Sequence, residues 1–436
     1  MKEDWIECTL GDILTIERGG SPRPIKEYLT TDSNGVNWIK IGDATNSGKY
    51  ILETIQKIKP SGLKKSREVF PGDLLLSNSM SFGRPYIMGI KGAIHDGWLV
   101  IRDNKYIDKN FLYYAFSSPV VFNQFSQKAK GSTVKNLNIG LVSEVKIKLI
   151  SLPEQKAIVN KTEALFSSLD SGIADLKKAQ EQLKTYRQAV LKKAFEGELT
   201  NSIMIEKELA SITSKIGDGL HGTPSYDENG KYYFINGNNL NDGIIFLKPE
   251  TKRVNEEEYL KHRKELDDTT VFVSINGTIG NTAFYNNEPV ILGKSACYVN
   301  VTDEIDKKYL RYNFLSSEFL NYAIKNATGS TIKNVGLKTI RTYQVPLPKI
   351  REEQHQIVQE IESRLSVCDA VAQSITESLD KAQALRQSIL KKAFEGKLLT
   401  QEEIAKCKAH PDYEPASVLL ARIERSRNER IKKEKK

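Results

Sequence analysis

The chain repeats itself, and no other feature limits its possible folds so sharply. Residues 191–197 read LKKAFEG, and residues 390–396 read LKKAFEG again. Upstream, Gly131-Ser132-Thr133-Val134-Lys135-Asn136 matches Gly329-Ser330-Thr331-Ile332-Lys333-Asn334. Glu154-Gln155, followed by Ile158-Val159, matches Glu353-Gln354, followed by Ile357-Val358; Ile107-Asp108-Lys109 matches Ile305-Asp306-Lys307; Ser77 and Gly83 stand opposite Ser274 and Gly280. The period is about 200 residues, far too long for a solenoid repeat, so two domain-sized copies are implied. The match is uneven. Residues 130–197 and 328–396 are close, while 1–100 and 201–300 have drifted. That is the pattern of one conserved frame carrying two surfaces that have diverged.

The conserved stretches read as helices. From Glu154 to Phe195 there is no proline, and Gly172 is the one internal glycine. Apolar residues fall at Leu169, Ile173, Leu176, Leu183 and Val190, and in the second copy at Leu365, Cys368, Ala372, Ile375, Leu379, Ala382 and Ile389. Steps of three and four make a coiled-coil seam. Each helix runs about 40 residues, roughly 60 Å at 1.5 Å per residue. Such a stripe needs a partner, and the duplicate supplies one; equivalent placement after equivalent domains makes the pair antiparallel. Pro153 and Pro348 are expected just before the helices. Gly197 and Gly396 are expected as left-handed caps.

The divergent stretches read as mixed strands and loops, with strands at Asp73–Ser77, Ile94–Arg102, Thr270–Ile275 and Ser295–Val301, and short helices near Lys109–Ser117 and Lys307–Ser316. The fold class is therefore α+β: two mixed domains separated by two long helices in an antiparallel coiled coil. The expected boundaries are 1–152, 153–200 (first helix), 201–350, 351–400 (second helix) and a tail, 401–436. The tail ends ARIERSRNERIKKEKK, and a frayed or disordered segment is favoured over a contact with nucleic acid or another subunit.

Composition narrows the function classes. Sixty-four Lys and Arg against 55 Asp and Glu give a net charge of +9, a mild basic excess that leans towards a polyanionic partner; a lysine-rich solvated surface is the alternative. Cys8, Cys297, Cys368 and Cys407 are scattered with no CxxC pair, so neither a disulfide framework nor a zinc site is expected, and a cytoplasmic setting is. MKEDWIECTLGD has no apolar signal core, and no run approaches the ~18 apolar residues of a membrane span. No G-x-x-x-x-G-K-[ST] loop is present; Gly293-Lys294-Ser295 lacks the earlier glycine. There is no Asn-Pro-Pro-aromatic motif and no glycine-rich cofactor loop. His95, His221, His262, His355 and His410 have no metal-ligand spacing. Glu395-Gly396-Lys397 resembles the Glu-x-Lys of some nucleases, but Glu198 stands where that lysine would fall in the first copy. The chain is expected to carry no catalytic residue, no metal and no cofactor.

In its layout the chain resembles the specificity (S) subunit of Type I restriction-modification enzymes. The resemblance covers nearly the whole length. It rests on the two G-S-T-x-K-N turns, on the passage from proline to Glu-Gln at each long helix (Pro153-Glu154-Gln155; Pro348 through Glu353-Gln354), and on the repeated A-F-E-G closures. It also rests on the G-[ST]-P loop in each divergent domain, Gly20-Ser21-Pro22 and Gly222-Thr223-Pro224. The second copy departs by inserting Lys349-Ile350-Arg351 before Glu-Gln, which leaves the start of the second helix open. The resemblance implies a non-catalytic DNA-binding chain that works with two adenine methyltransferase subunits and two restriction-translocase subunits. On that reading S-adenosylmethionine, ATP and magnesium are used by those partners.

Two unlike domains in a pseudo-twofold frame imply an asymmetric target in two parts, because identical readers would require a palindrome. Phosphate contacts would come from Lys64, Lys65 and Arg67 in the first domain and from Lys261, His262, Arg263 and Lys264 in the second. Base reading needs side chains that donate and accept, or forks. The candidates are Ser21, Arg23, Asn78, Ser79, Ser81 and Arg84, then His221, Thr223, Tyr226, Asn236, Asn238, Asn239, Asn276 and Thr278. These groups take matching places in the two copies yet differ in type. Asn, Ser and Thr are also ordinary turn formers, and Ser132, Thr133, Ser330 and Thr331 read first as turn or capping residues. Trp38 and Phe234 are expected in the core. Two other classes remain: an adaptor built on the coiled coil, and a self-contained modifying enzyme, against which the missing motifs weigh.

Overall fold

The computed structural model describes residues 4–45, 47–79, 82–102, 105–129, 136–330 and 332–434. It divides into two compact units, residues 1–174 with 378–436, and residues 175–377. Both long helices pass from one unit into the other.

In chain order, the strands of unit 1 that matter here are β1 (Ile6–Thr9), β2 (Ile16–Arg18), β3 (Val36–Ile39), β4 (Leu74–Ser77), β5 (Pro85–Met88), β6 (Gly92–Ile94), β7 (Trp98–Ile101) and β8 (Lys146–Leu149). Helices α1 (Lys109–Ser117) and α2 (Pro119–Lys128) lie between β7 and β8. The first long helix, α3 (Leu152–Phe195), follows β8. Strands β2, β7, β4 and β5 are neighbours in one mixed sheet, with Tyr50–Ile51 at its edge; β3 and β6 pair in parallel within a second.

Unit 2 repeats the plan with β9 (Met204–Glu208), β10 (Thr213–Gly217), β11 (Tyr232–Ile235), β12 (Thr270–Ser274), β13 (Thr282–Phe284), β14 (Val290–Leu292), β15 (Ala296–Val301) and β16 (Gln344–Pro348). Helix α4 (Glu256–His262) precedes β12, and α5 (Lys307–Phe314) and α6 (Ser317–Lys325) follow β15. Its larger sheet runs β10–β15–β12–β13, and β11 pairs with β14 in parallel, as β3 does with β6. The second long helix, α7 (Glu353–Phe394), is followed by α8 (Gln401–Lys408) and α9 (Ala416–Glu434). The molecule is an α+β protein of two sheet-rich domains with long packed helices.

The central strands are largely apolar and buried along their length because both of their faces are covered. Their period-two alternation divides the side chains between two cores. Leu74, Leu76, Leu99 and Ile101 face the helices, while Leu75, Trp98 and Val100 face the second sheet. Unit 2 does the same: Val271, Val273, Cys297 and Val299 lie on the helix side, and Phe272, Ala296 and Tyr298 on the other.

Within each unit the start of one long helix packs against the end of the other, so the pair is antiparallel. In unit 1, Ile158, Val159 and Phe166 of α3 share a core with Ile389, Leu390, Ala393 and Phe394 of α7. In unit 2, Leu191, Ala194 and Phe195 of α3 join Ile357, Val358 and Ile361 of α7. Phe394 packs on Phe111 and Phe195 on Tyr309, each with ring centroids 5.2 Å apart. Arg386 pairs with Asp170 in unit 1, and Arg187 with Asp369 in unit 2. These are equivalent residues in the two copies.

The repeated motifs become structural parts. Asp108 and Asp306 cap α1 and α5 through their side chains. Their own backbone N–H groups donate to Gln155 Oε1 (2.8 Å) and Gln354 Oε1 (2.7 Å), which fixes each domain to its helix. Gly197 and Gly396 take φ values of +81° and +79° as the expected left-handed terminators.

Three expectations need correction. Pro153 lies inside the first turn of α3, where a missing N–H costs nothing, not ahead of the helix. The strand expected over Ile94–Arg102 is two strands, β6 and β7, broken by a turn at His95–Gly97. The tail is not frayed over its described length: Ile404, Cys407, Leu419 and Ile423 are buried, and Ile404, Leu419 and Ile423 belong to the helix-side core of unit 1. Its charge misled, because the apolar residues of an amphipathic helix are a minority in so basic a segment.

Leu419→Ala is therefore expected to destabilise unit 1 by about 2–5 kcal/mol, whereas Val418→Ala, at a residue 51% exposed, should change stability by less than about 0.5 kcal/mol. Urea unfolding of the two variants checks this; equal effects would mean the tail is not part of the core.

Candidate functional site

In each unit several loops meet at a single turn. In unit 1 it is the His95–Gly97 turn between β6 and β7. Gly19 N donates to Trp98 O (2.9 Å) and Gly20 N to Ile94 O (3.1 Å), so the segment leaving β2 is bonded on both sides of the turn and brings Ser21 and Arg23 to it. Asn78 N donates to Gly97 O (2.9 Å), placing the end of β4 beside it. Ser66 Oγ donates to Ile94 O (2.9 Å), which brings in the segment of Lys64, Lys65 and Arg67.

Asp96 joins these loops. Its Oδ1 accepts from Ser21 Oγ (2.8 Å), its Oδ2 accepts from Arg23 Nη2 (3.4 Å), and its backbone carbonyl accepts from Asn78 Nδ2 (2.9 Å) and Arg18 Nε (3.1 Å). Burial works to raise its carboxyl, but hydrogen bonds from Ser21 and His95 outweigh this and hold it below the usual carboxylate range. His95 lies near Trp38 and Trp98, with ring centroids 6.2 and 6.5 Å away. Its burial lowers the imidazole below its ordinary value, against the opposing pull of the neighbouring Asp96. Ser21, Arg23, Ile25, Trp38, Lys40 and His95 line an open, largely apolar groove.

Unit 2 has the same junction at Gly293–Ser295, with different side chains. Leu220 N donates to Leu292 O (2.7 Å) and Lys294 N to Leu220 O (3.0 Å), placing the 220–223 loop there. Ile275 N donates to Ser295 O (3.0 Å), and Ser295 Oγ donates to Asn236 Oδ1 (3.0 Å). His221, Thr223, Asn236 and Asn276 are thus carried by segments that converge on one turn. His221 Nε2 is 2.7 Å from Asp218 Oδ2, and Asn276 Nδ2 donates to Asn334 Oδ1 (2.9 Å).

A second repeated device is the hairpin after β4 and β12. Ser77 N donates to Arg84 O, and Arg84 N returns to Ser77 Oγ, both 3.0 Å. Ser274 and Asn281 make the same two bonds at 2.8 Å. Gly83 and Gly280 hold φ of +74° and +93° in these hairpins, which a residue with a Cβ resists. At Gly280 a Cβ would also lie 2.2 Å from Leu320 Cδ2.

The candidates are not equally available. Arg23 and Arg84 are exposed, and Ser79 is half-buried. Ser81 lies outside the described residues, as do Ser132, Thr133 and Thr331. Asn78 and Asn239 are buried at 1% and 6%. Asn239 Oδ1 accepts from Asn236 N (3.0 Å) and its Nδ2 donates to Phe246 O (3.1 Å), so its amide is committed to holding the loop. Thr223, Tyr226, Asn238 and Thr278 are exposed, and Lys252 Nζ sits 5.7 Å from the Tyr226 ring centroid. Of the basic candidates, Lys64, Lys65 and Arg67 are exposed at and after the short helix Pro60–Lys65; Lys65 Nζ donates to Tyr28 OH (3.1 Å) and Arg67 Nε lies 3.6 Å from Glu17. In α4, Lys261 and His262 lie 3.8 and 3.6 Å from Glu258, and Arg263 beyond them is exposed while Lys264 is half-buried. Trp38 is buried as expected; Phe234 is only half-buried.

Sequence reasoning missed Asp96, Lys294 and Ser295, and it missed Asn281, the partner in the hairpin geometry of Arg84. Asp96-Gly97 is a turn dipeptide and could have been found. So could Asn281, by continuing the alignment from Gly280.

Among the described residues there is no group of three His, Cys, Asp or Glu placed to hold a metal ion, and no helix long and apolar enough to cross a membrane. The four cysteines are buried and none is in a disulfide, and burial pushes the Cys8 thiol up to about 12, away from nucleophilic use. Fold and candidate site together define a duplicated α+β protein, with one frame presenting two unlike loop surfaces.

The comparisons agree. Residues 2–184 and 207–380 match the family described as the Type I restriction modification DNA specificity domain. The chain is 24% identical over 440 residues to the Type I restriction enzyme StySPI specificity subunit of Salmonella potsdam, covering 92% of this chain and 90% of that protein. It is 24% identical over 433 residues to the EcoKI specificity subunit of Escherichia coli K12, with the same coverage. Among solved structures, the HsdS subunit of Thermoanaerobacter tengcongensis superposes with a TM-score of 0.56 at 19% identity, covering 91% of this chain and 98% of that one. A chain from a study of complex assembly and conformational transition in the type I R-M system gives a TM-score of 0.68 at 20% identity, covering 91% and 99%. The chain belongs to the Type I restriction modification DNA specificity family, whose members are non-catalytic recognition subunits.

Asn239→Ala should destabilise unit 2 by about 1–3 kcal/mol, since it strands the Phe246 carbonyl and the Asn236 amide. Asn238→Ala, one residue away and exposed, should stay within about 0.5 kcal/mol. Urea melts of both variants decide whether Asn239 supports the loop.

Proposed function

We propose that this chain reads an asymmetric, two-part double-stranded DNA site, one half with each unit, and leaves the bases between them unread. The observation that carries the reading is the repeated junction. Equivalent backbone bonds bring two segments to the turn in both units, Gly20 N to Ile94 O and Asn78 N to Gly97 O in one, Leu220 N to Leu292 O and Ile275 N to Ser295 O in the other, yet Asp96 stands at the turn in the first and Lys294-Ser295 in the second. Different side chains on one frame meet different base edges. The exposed candidates Arg23, Arg84, Thr223, Tyr226, Asn238 and Thr278 read bases together with Ser21, Ser79, His221, Asn236 and Asn276. Lys64, Lys65, Arg67, Lys261, His262, Arg263 and Lys264 hold phosphates. Asn78 and Asn239 act by shaping their loops. The 44-residue α3 and 42-residue α7 set the spacing, with half-site centres about one turn, ~10 bp, apart.

The chain directs its partners to that site: two adenine methyltransferase subunits and two restriction-translocase subunits, which use S-adenosylmethionine, ATP and magnesium. The long helices and adjoining domain faces are the docking surfaces. The relatives named as Type I specificity subunits support this division of labour.

The test is selection from random duplexes with the full chain and the methyltransferase subunits that co-purify with it. A motif of two unlike short halves with a fixed gap is expected; a continuous motif would contradict the account. Specific binding should weaken steeply with salt, and Lys64→Ala with Lys65→Ala should flatten the slope of log K against log salt by roughly 2 without changing the selected sequence. Labelled methyl transfer by the chain alone would contradict its recognition role.

A further inference from the structure

A carboxylate at a surface built to meet phosphates needs a reason, because it repels the ligand. Asp96 is such a group: its side chain is 44% exposed, and it lies beside Arg23 and within the loop cluster that also holds Lys64, Lys65 and Arg67. We propose that Asp96 is a positioning residue for Arg23, which reads one guanine in the half-site bound by unit 1. This rests on the reading of unit 1 as one of two DNA readers.

The geometry supports it on three counts. The carboxylate is itself fixed before any ligand arrives, since Oδ1 accepts from Ser21 Oγ at 2.8 Å and the backbone of the same residue is held by Asn78 Nδ2 at 2.9 Å and Arg18 Nε at 3.1 Å. The other oxygen faces Arg23 Nη2 at 3.4 Å. That contact occupies one end of the guanidinium fork and leaves Nη1 and the second Nη2 hydrogen for the O6 and N7 acceptors of a guanine. Arg23 also stands between Pro22 and Pro24, whose rings restrict the backbone on both sides. Its side chain is 80% exposed, so it is presented outward and is not packed into the fold.

An exposed pair of this kind adds little to stability. Its value lies in orienting a long side chain that would otherwise lose conformational freedom on binding. Unit 2 has Lys294 at the corresponding turn. A lysine cannot orient an arginine, so the second half-site is read in another way.

The experiment is selection from random duplexes with the full chain and its co-purifying methyltransferase subunits, comparing wild type with Asp96→Asn, Arg23→Ala and Arg23→Lys. Titration of single-base variants of the wild-type site, and the thermal midpoint of each protein, are measured in parallel. Asp96→Asn should cut discrimination at one G·C pair by about tenfold, within the range of a bidentate contact. Arg23→Ala and Arg23→Lys should lose it at the same pair, with the other half-site and the midpoints unchanged. Replacing that guanine by 7-deazaguanine, which lacks N7, should weaken wild type and leave Arg23→Ala indifferent. If Asp96→Asn binds every sequence more tightly with the motif intact, Asp96 is only a repulsive charge and the proposal fails while the two-reader account stands. Loss of both half-sites together with a lowered midpoint would assign Asp96 to the fold and overturn it too. Failure of wild type to enrich any motif would overturn both.

Discussion

Each unit of this protein is completed by the far end of a helix that begins beside the other copy. Phe394 closes the core over Phe111, and Phe195 closes the equivalent core over Tyr309. A helix of this length cannot hide its apolar stripe alone, and neither sheet-rich domain can cover its helix-side face alone. The antiparallel pairing satisfies both needs. Arg386 on Asp170 and Arg187 on Asp369 flank the seam at equivalent places, and as exposed pairs they serve register more than stability. The constraint explains why the second half of the duplication has stayed close. A change in any residue that both caps one helix and closes a core must be tolerated twice.

The rigid frame in turn frees the loops. Once Gln155 and Gln354 fix each domain to its helix through the amides of Asp108 and Asp306, and the buried strands fix the sheet, the turns at Asp96 and Lys294 are held by main-chain bonds. Those bonds do not depend on side-chain identity. Side chains at the turn and in the neighbouring loops can therefore differ between the units without loss of these bonds. Backbone-held loops with interchangeable side chains are what a protein needs if its target changes while its partners stay the same.

The fold was legible where the physics is periodic or repeated. The helices showed in the spacing of Leu365, Cys368, Ala372 and Ile375, their terminators in Gly197 and Gly396, and the short helices in Lys109–Ser117 and Lys307–Ser316. It was illegible where a local cue was overridden. Ile94 to Arg102 reads as one strand because Ile94 and Trp98–Ile101 are apolar, and the His95–Gly97 turn within it is stabilised by contacts from Gly19, Gly20 and Asn78 that are distant in sequence. The tail read as a solvated charge run because its buried apolar residues, Ile404, Leu419 and Ile423 among them, are few among many charged ones. At the site, the positions of Ser21, Arg23 and Asn236 could be read from the alignment of the copies. The Asp96-Gly97 dipeptide marks a turn, but the role of Asp96 could not be read, since it comes from loops distant in sequence closing on it. Asn239 could not be separated from Asn238 by type; burial of one amide distinguishes them.

The claim that carries the rest is that the two units are equivalent frames with different readers. It is tested most directly by a chain in which the loops of unit 1, residues 15–102, also replace residues 212–302 of unit 2, followed by selection from random duplexes. The account predicts a motif whose two halves are the first half-site and its inverted copy, separated by the wild-type gap. An asymmetric motif that still contains the second wild-type half would contradict it, because the bases would then be read from outside the loops that distinguish the two copies.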